Sequence, residues 1–243
     1  MTNNPDLDCL KCINFKKLHP SSGDPRPQSK KTCETAAMKG HLKCLFFAYN
    51  NGGPLSVKVM KSAAKYGHLD IVKYLYANLC PTDESGDECA AAAKNGNYEI
   101  LKFLHEKGYV WNFKVHVKAV KNSHFKCLEY AFNKKCPKNS SDIFWEAAKK
   151  GNMEVLKFLY ENRYPIDAYV INGAIQKKSE KVIKFLHETV GVPWNDTVFY
   201  DLEEYGCDDE DEIVQYIEAH GCTYDEITPC TICKPPVIKP RFL

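Results

Sequence analysis

Residues 62–76 read SAAKYGHLDIVKYLY, and variants of this stretch return five more times along the 243-residue chain. One alanine is common to all six copies and falls every 27 to 29 residues, at Ala36, Ala63, Ala92, Ala119, Ala147 and Ala174. A seventh, eroded copy covers residues 201–218. Such a period predicts a repeat architecture in which each copy is one small supersecondary unit.

Each copy is predicted to form two short helices joined by a turn. In the fifth copy, Met153, Leu156 and Leu159 have the spacing of one face of an amphipathic helix. The Ala-rich stretch before it predicts a first helix, which a glycine with positive φ closes at Gly40, Gly67, Gly96 and Gly151. The small alanine allows the two helices to approach closely.

Two apolar columns are predicted to form the core. An aliphatic residue recurs in every copy, and two positions later stands an aromatic residue, at Phe47, Tyr74, Phe103, Tyr130, Phe158, Phe185 and Tyr216. One helical hairpin cannot bury these columns alone, so neighbouring copies must stack. The predicted fold is therefore an all-α solenoid of about seven helix-turn-helix repeats.

The composition narrows the class of protein. With 44% apolar and 26% charged residues, it is typical of a folded chain and excludes a disordered one. No apolar run approaches the roughly 18 to 20 residues of a membrane-spanning helix, and residues 1–8 are polar and acidic, unlike a secretory signal. We therefore expect a cytoplasmic chain that is neither secreted nor membrane-spanning.

The net charge of +2 conceals a strong asymmetry. Residues 30–185 contain 26 Lys and Arg against 15 Asp and Glu, whereas residues 186–243 contain 3 against 13. The acidic stretch 201–212 is interpreted either as a solvated cap on the end of the stack or as a surface for self-association. In the second case it would meet the basic flank of another copy or of a larger assembly.

The string A-A-x-x-G-H-L-x-x-V-x-x-L at residues 63–75 resembles the ankyrin repeat, and the resemblance covers about residues 32–227. The T-P-L-H opening of that repeat is missing and the connector is shorter. Connector fragments at residues 79–81, 110–112 and 192–195 look like the G-C-P-W connector of short ankyrin-like repeats from large DNA viruses of protists. The resemblance implies a non-catalytic protein-protein interaction module, and a viral origin would make it a virion or assembly component in the host cytoplasm.

A basic stripe follows the leading alanines, in the position that faces the binding groove in ankyrin repeats. We predict that it binds the acidic surface of a protein partner, through Lys39, Lys65, Tyr66, Lys94, Asn95, Lys121, Asn122, Lys149, Lys150 and Lys177. The alternative interpretation is that lysine is simply a good residue for an exposed helix surface. Trp111 and Trp194 are predicted either as aromatic anchors for the partner or as packing residues beneath the next connector.

Two other functions compete with this prediction. Nucleic acid or another acidic surface needs only lysines along a path, but Arg163 is the single arginine in residues 30–185 and no stacking pattern of aromatic and basic residues is recognisable. Nucleic acid is therefore the disfavoured partner. A ubiquitin-ligase substrate adaptor is the other alternative, although no F-box-like segment stands outside the repeats.

Twelve cysteines are mostly explained by the repeat, since eight of them recur in repeat columns, as Cys44 and Cys127 do. We predict that they are reduced packing residues. Metal ligation is a weaker alternative, in which zinc is held by the pairs Cys9/Cys12 and Cys230/Cys233, or locally by Cys9, Cys12, His19 and Cys33. No cofactor is predicted.

No catalytic motif is recognisable, and most histidines recur at repeat positions, so an enzyme is not predicted. The repeat gives three segments: an N-terminal cap and loop at residues 1–31, the repeats at 32–227, and a Pro-rich arm at 228–243. The arm has four prolines and is predicted to be extended and to dock onto a partner.

Overall fold

The computed structural model describes residues 30–50, 52–138, 142–208 and 210–221. Within these ranges it contains fourteen α-helices and no β-strand. The helices are α1 Lys30–Lys39, α2 Leu42–Asn50, α3 Val57–Tyr66, α4 Leu69–Ala77, α5 Asp87–Lys94, α6 Tyr98–Glu106, α7 Lys114–Lys121, α8 Phe125–Asn133, α9 Asp142–Lys150, α10 Met153–Glu161, α11 Val170–Gln176, α12 Glu180–Lys184, α13 Val198–Glu204 and α14 Glu212–Ala219. A π-helical segment, Phe185–Val190, continues α12.

The helices form seven consecutive pairs that coincide with the seven predicted copies of the repeat. Turns of two or three residues join the first six pairs, and a longer turn joins α13 to α14. The predicted helix-turn-helix unit is confirmed. None of these helices in the described ranges is long and apolar enough to cross a bilayer.

Backbone contacts divide the chain into two compact units, Met1–Pro137 and Lys138–Leu243, called unit 1 and unit 2 below. In unit 1 the first helices of the repeats, α1, α3, α5 and α7, pack side by side, and the second helices touch one another much less. In unit 2 the first helices α9, α11 and α13 pack side by side in the same way. Each unit is therefore a stack with a tightly packed layer of first helices.

The aliphatic column is the core of each stack, as predicted. Its members are all buried: Leu45, Val72, Leu101 and Leu128 in unit 1, and Leu156, Ile183 and Val214 in unit 2. Burial of one such side chain contributes about 1.5 to 3 kcal/mol, so this column is a main source of stability. The six shared alanines are also buried.

The aromatic column is not core, and that prediction was wrong for most of its members. Phe47 is 39% exposed, and four other members of the column are half-buried. Of the seven members, all within the described ranges, only Tyr130 and Tyr216 are buried. These rings lie on the flank of the second helices. There several of them contact a ring of the preceding repeat edge to face, as Phe103 does with Tyr76 at 5.7 Å between ring centroids.

In the second and third repeats, the residue that precedes the second helix ties its repeat to the one before. The Nε2 atom of His68 lies 3.2 Å from the carbonyl oxygen of Met38, near the end of α1. In the next repeat, Asn97 donates from Nδ2 to the carbonyl oxygens of Ala64 and Lys65, at 2.8 and 3.0 Å. These bonds satisfy carbonyl groups that a helix end leaves without a partner.

Candidate protein-binding surface

Four lysines stand at the ends of the first helices of unit 1. Lys39, Lys94 and Lys121 are the last residues of α1, α5 and α7, and Lys65 lies in the last turn of α3. All four side chains are exposed. Because α1, α3, α5 and α7 pack side by side, these lysines line one edge of the first-helix layer. We call them the lysine row.

An aromatic ring adjoins the lysine row at the second repeat. The ammonium group of Lys65 lies 4.7 Å from the centroid of the Tyr66 ring and 3.2 Å from its hydroxyl oxygen. Tyr66 is 46% exposed, so a partner that reaches Lys65 also meets an apolar surface. A ring and a cation in this arrangement attract each other by about 0.5 to 1 kcal/mol at exposed sites.

Two predicted contact residues have a structural role. The Nδ2 atom of Asn95 donates to the carbonyl oxygen of Ala91 at 3.0 Å, and that of Asn122 donates to the carbonyl oxygen of Lys118 at 2.9 Å. Both amides therefore cap the ends of their own helices. The lysines beside them also favour these ends, because a helix C-terminus carries partial negative charge.

A carboxylate bound between lysines of neighbouring repeats already exists in unit 1. Asp87 of α5 lies 2.6 Å from the Nζ atom of Lys61 in α3 and 3.0 Å from that of Lys114 at the start of α7. Hydrogen bonds from Lys61 and then Lys114 lower the pKa of Asp87. The spacing of the first helices thus lets one carboxylate contact lysines from the repeats on both sides.

Unit 2 carries its own lysines at the same repeat positions. Lys150 and Lys177 are exposed, and the half-buried Lys149 places its ammonium group 4.7 Å from the centroid of the Trp145 ring. Sequence reasoning missed Trp145. Its repeat position could have indicated it. Trp145 stands two residues before Ala147, and the equivalent residue of the second repeat, Lys61, is exposed.

The two tryptophans predicted as possible anchors pack against histidines. Trp111 is half-buried and stacks on His105 with ring centroids 3.8 Å apart. Trp194 stacks on His187 at 4.2 Å, donates from Nε1 to the carbonyl oxygen of His220 at 3.0 Å, and is only 5% exposed. The interpretation of Trp194 as an exposed anchor was therefore wrong. The structure agrees with the alternative, in which Trp194 is a packing residue. Burial lowers the pKa of both His105 and His187.

Most described cysteines are packing residues. The free thiols are Cys33, Cys80, Cys89, Cys127, Cys136 and Cys207, and all but the last are buried. Burial raises the pKa of Cys80 to about 11 and that of Cys136 to about 12, so these thiols are poor nucleophiles and metal ligands. Cys44 differs, because it is disulfide-bonded, and the prediction of a reduced thiol was wrong there.

The zinc alternatives rest largely on residues outside the described ranges, namely Cys9, Cys12, His19, Cys230 and Cys233. The remaining member, Cys33, is buried in α1. Among the residues that the structure does describe, no group of three or more His, Cys, Asp or Glu side chains is placed to hold a metal ion.

Side-by-side helical hairpins and an exposed first-helix edge define a helical-repeat protein. Residues 60–105 match the family model for ankyrin repeats (many copies). The structure is similar to the crystal structure of the human ASB11 ankyrin repeat domain, with a TM-score of 0.57 and 15% sequence identity over 77% of this chain and 96% of that one. A search of curated protein sequences finds no match. The predicted all-α ankyrin-repeat fold is thus confirmed.

Proposed function

We propose that this chain is a non-catalytic protein-interaction module whose lysine row binds an acidic surface of a protein partner. Ankyrin repeats generally mediate protein-protein interaction, and residues 60–105, which match them, include Lys65 and Lys94. The observation that carries the proposal is the exposure of equivalent lysines at the ends of adjacent first helices. Lys149, Lys150 and Lys177 form a second candidate surface within unit 2.

The charge of the row decides what kind of binding it supports. Each exposed ion pair contributes only about 0.2 to 1 kcal/mol, so single contacts are weak. Several ammonium groups along one edge also raise the association rate of an acidic partner, and this effect decreases with salt over a Debye length of about 8 Å. The expected interaction is therefore fast, moderate in affinity and sensitive to salt.

Stabilisation of helix ends is the competing explanation for these lysines. A cation at a helix C-terminus contributes about 0.3 to 1 kcal/mol. However, α11 ends at Gln176, so a neutral residue is compatible with the same position of the repeat. Substitution by glutamine therefore removes the charge with little change to the helix, whereas glutamate would also repel the helix end.

The test compares two triple variants with the same net charge. The first, Lys65→Gln, Lys94→Gln and Lys121→Gln, neutralises three of the four lysines of the row. The second, Lys73→Gln, Lys102→Gln and Lys126→Gln, removes three lysines from the second helices α4, α6 and α8. The probe is a fluorescein-labelled poly-L-glutamate peptide, whose binding is followed by fluorescence anisotropy at about 50 and 150 mM salt.

The first variant should weaken binding by about tenfold, the effect of three exposed ion pairs, while the second should bind almost as wild type does. Equal losses in both variants would contradict a dedicated row. A duplex DNA probe separates the nucleic-acid alternative: tight binding of DNA at about 150 mM salt that depends on the row would favour it. Four ideas from the sequence stay predictions: self-association, a role in virion assembly, a viral origin and a role as a ubiquitin-ligase adaptor.

A further inference from the structure

The lysine row has a spacing that the fold fixes. The helices α3, α5 and α7 pack side by side, and the axes of packed helices lie about 8 to 10 Å apart. Lys65, Lys94 and Lys121 occupy the same position relative to the leading alanine of their repeats. Their ammonium groups therefore recur at about the same interval of 8 to 10 Å along the stack.

That interval matches one period on the surface of an α-helix. Residues seven apart in a helix lie on nearly the same face and are about 10.5 Å apart along the axis. A partner helix that lies across α3, α5 and α7 would place one carboxylate beside each of the three lysines. Lysine side chains are long enough to absorb the small difference between the two spacings.

The contact between Asp87 and its two lysines shows that such reach exists. One carboxylate, held over α5, bonds Lys61 from the preceding first helix and Lys114 from the following one. Lysines of the second and fourth repeats thus converge on one carboxylate of the third. A carboxylate of a partner helix that lies between two members of the row can be shared in the same way.

The backbone of the partner has to satisfy its own hydrogen bonds. The described residues of unit 1 contain no β-strand, so they offer no sheet edge to which an extended segment could add. The amides of Asn95 and Asn122 donate to their own helices. A helical partner needs neither a sheet edge nor free side-chain amides, because its backbone hydrogen bonds are internal. Its apolar positions can cover the exposed ring of Tyr66.

We propose that the lysine row binds one face of an acidic α-helix, with Asp or Glu at positions i, i+7 and i+14. The proposal rests on the function proposed above and adds the form and register of the partner. The partner helix lies across the first helices of unit 1, and its carboxylates pair with Lys65, Lys94 and Lys121.

Three synthetic probes with three glutamates each test the register against the full chain. The first is a stapled Ala-rich helix with Glu at i, i+7 and i+14. The second has the same composition and staple, with Glu at i, i+5 and i+10, so that the charges spread around the helix. The third is a flexible Gly/Ser peptide with Glu at every third residue, which can match the spacing only when extended.

The first probe should bind about tenfold more tightly than either of the others, and Lys65→Gln, Lys94→Gln and Lys121→Gln together should abolish the difference. The second-helix control variant should preserve it. Equal binding of all three probes through the row would overturn the helical register but leave the proposed function intact. Failure of every probe, poly-L-glutamate included, would overturn both.

Discussion

The imidazole of His124 occupies the space beside Gly96, where a Cβ atom would lie only 2.7 Å from its Nδ1 atom. The same relationship joins His68 to Gly40, where the nearest ring atom would be 2.5 Å away. Each of these glycines therefore has two functions. It closes a first helix with positive φ, and it leaves room for the side chain with which the next repeat begins its second helix.

Substitution of Gly96 by alanine should destabilise the fold through both functions. The φ of +72° costs a residue with a Cβ about 1 to 2 kcal/mol. The contact with His124 adds about 1 kcal/mol or more, because the ring or the helix must shift. Urea unfolding followed by circular dichroism measures the total loss.

Gly108→Ala is the matched control. Gly108 has a φ of +79°, but a Cβ there would have no heavy atom within 4 Å. The control should therefore show the φ cost alone. The double variant Gly96→Ala with His124→Ala separates the two terms further. If Gly96→Ala and Gly108→Ala lose the same free energy of unfolding, the ring does not require the glycine.

A buried carboxyl group in α5 should make the stability of unit 1 depend on pH. Glu88 is 1% exposed, and its Oε1 atom has no hydrogen-bond partner in the described part of the chain. Burial, together with repulsion from Asp83 and Asp87, raises the pKa of Glu88. The folded-state pKa thus exceeds the unfolded value of about 4.3. The free energy of unfolding should therefore fall as the pH rises from that value through the folded-state pKa, and then level off.

Glu88→Val should remove this dependence and stabilise the fold at neutral pH by about 1 to 3 kcal/mol. Valine fits the site, because Val59 and Val115 occupy the same position in the neighbouring repeats and are fully buried. Urea unfolding at a series of pH values gives the comparison. Glu84→Val, at an exposed carboxylate, should change stability by less than about 0.5 kcal/mol. A gain that is the same at every pH would show that the charge of Glu88 is not its source.

Glu88 also shows what sequence reasoning could have found. It stands four residues before Ala92, where four other repeats have Val59, Val115, Ile143 and Val170. An alignment on the leading alanines places a carboxyl group in this aliphatic column. The period, the helix pairs and the buried aliphatic column follow from the sequence because they repeat, and a departure from a repeat carries as much information as the repeat itself.

Other features depend on geometry that one sequence does not contain. A period of 3.6 residues gives the apolar face of a second helix but not its width, so Phe47 could not be separated from the buried Leu45. Trp194 fits an anchor or a packing residue equally well until its bond to the His220 carbonyl is seen. Which lysines share an edge follows only from the packing of α3 against α5 and of α5 against α7.

Leu79 should be a site where glycine stabilises the protein. It ends the second repeat with a φ of +53° and is 88% exposed, so its side chain contributes little to packing. Gly108 fills the corresponding place in the third repeat. Relief of a φ penalty of about 1 to 2 kcal/mol outweighs the entropy that glycine adds to the unfolded chain.

We therefore expect Leu79→Gly to raise the free energy of unfolding by about 0.5 kcal/mol. Leu79→Ala removes the same side chain but keeps the strained φ, and should give no gain. Thermal unfolding of both variants beside wild type distinguishes the two effects. A gain in the alanine variant as large as in the glycine variant would assign it to loss of the exposed leucine instead.

Binding of an acidic helix to the lysine row can be mapped lysine by lysine. Reductive methylation with ¹³C-formaldehyde keeps the positive charge of each lysine and gives it an NMR signal, which single Lys→Gln variants assign. During titration with the acidic helix, we expect shifts concentrated at Lys65, Lys94 and Lys121. The signals of Lys73, Lys102 and Lys126 on the second helices should stay unchanged. Shifts spread evenly over both sets, or concentrated on the second helices, would contradict a binding surface on the lysine row.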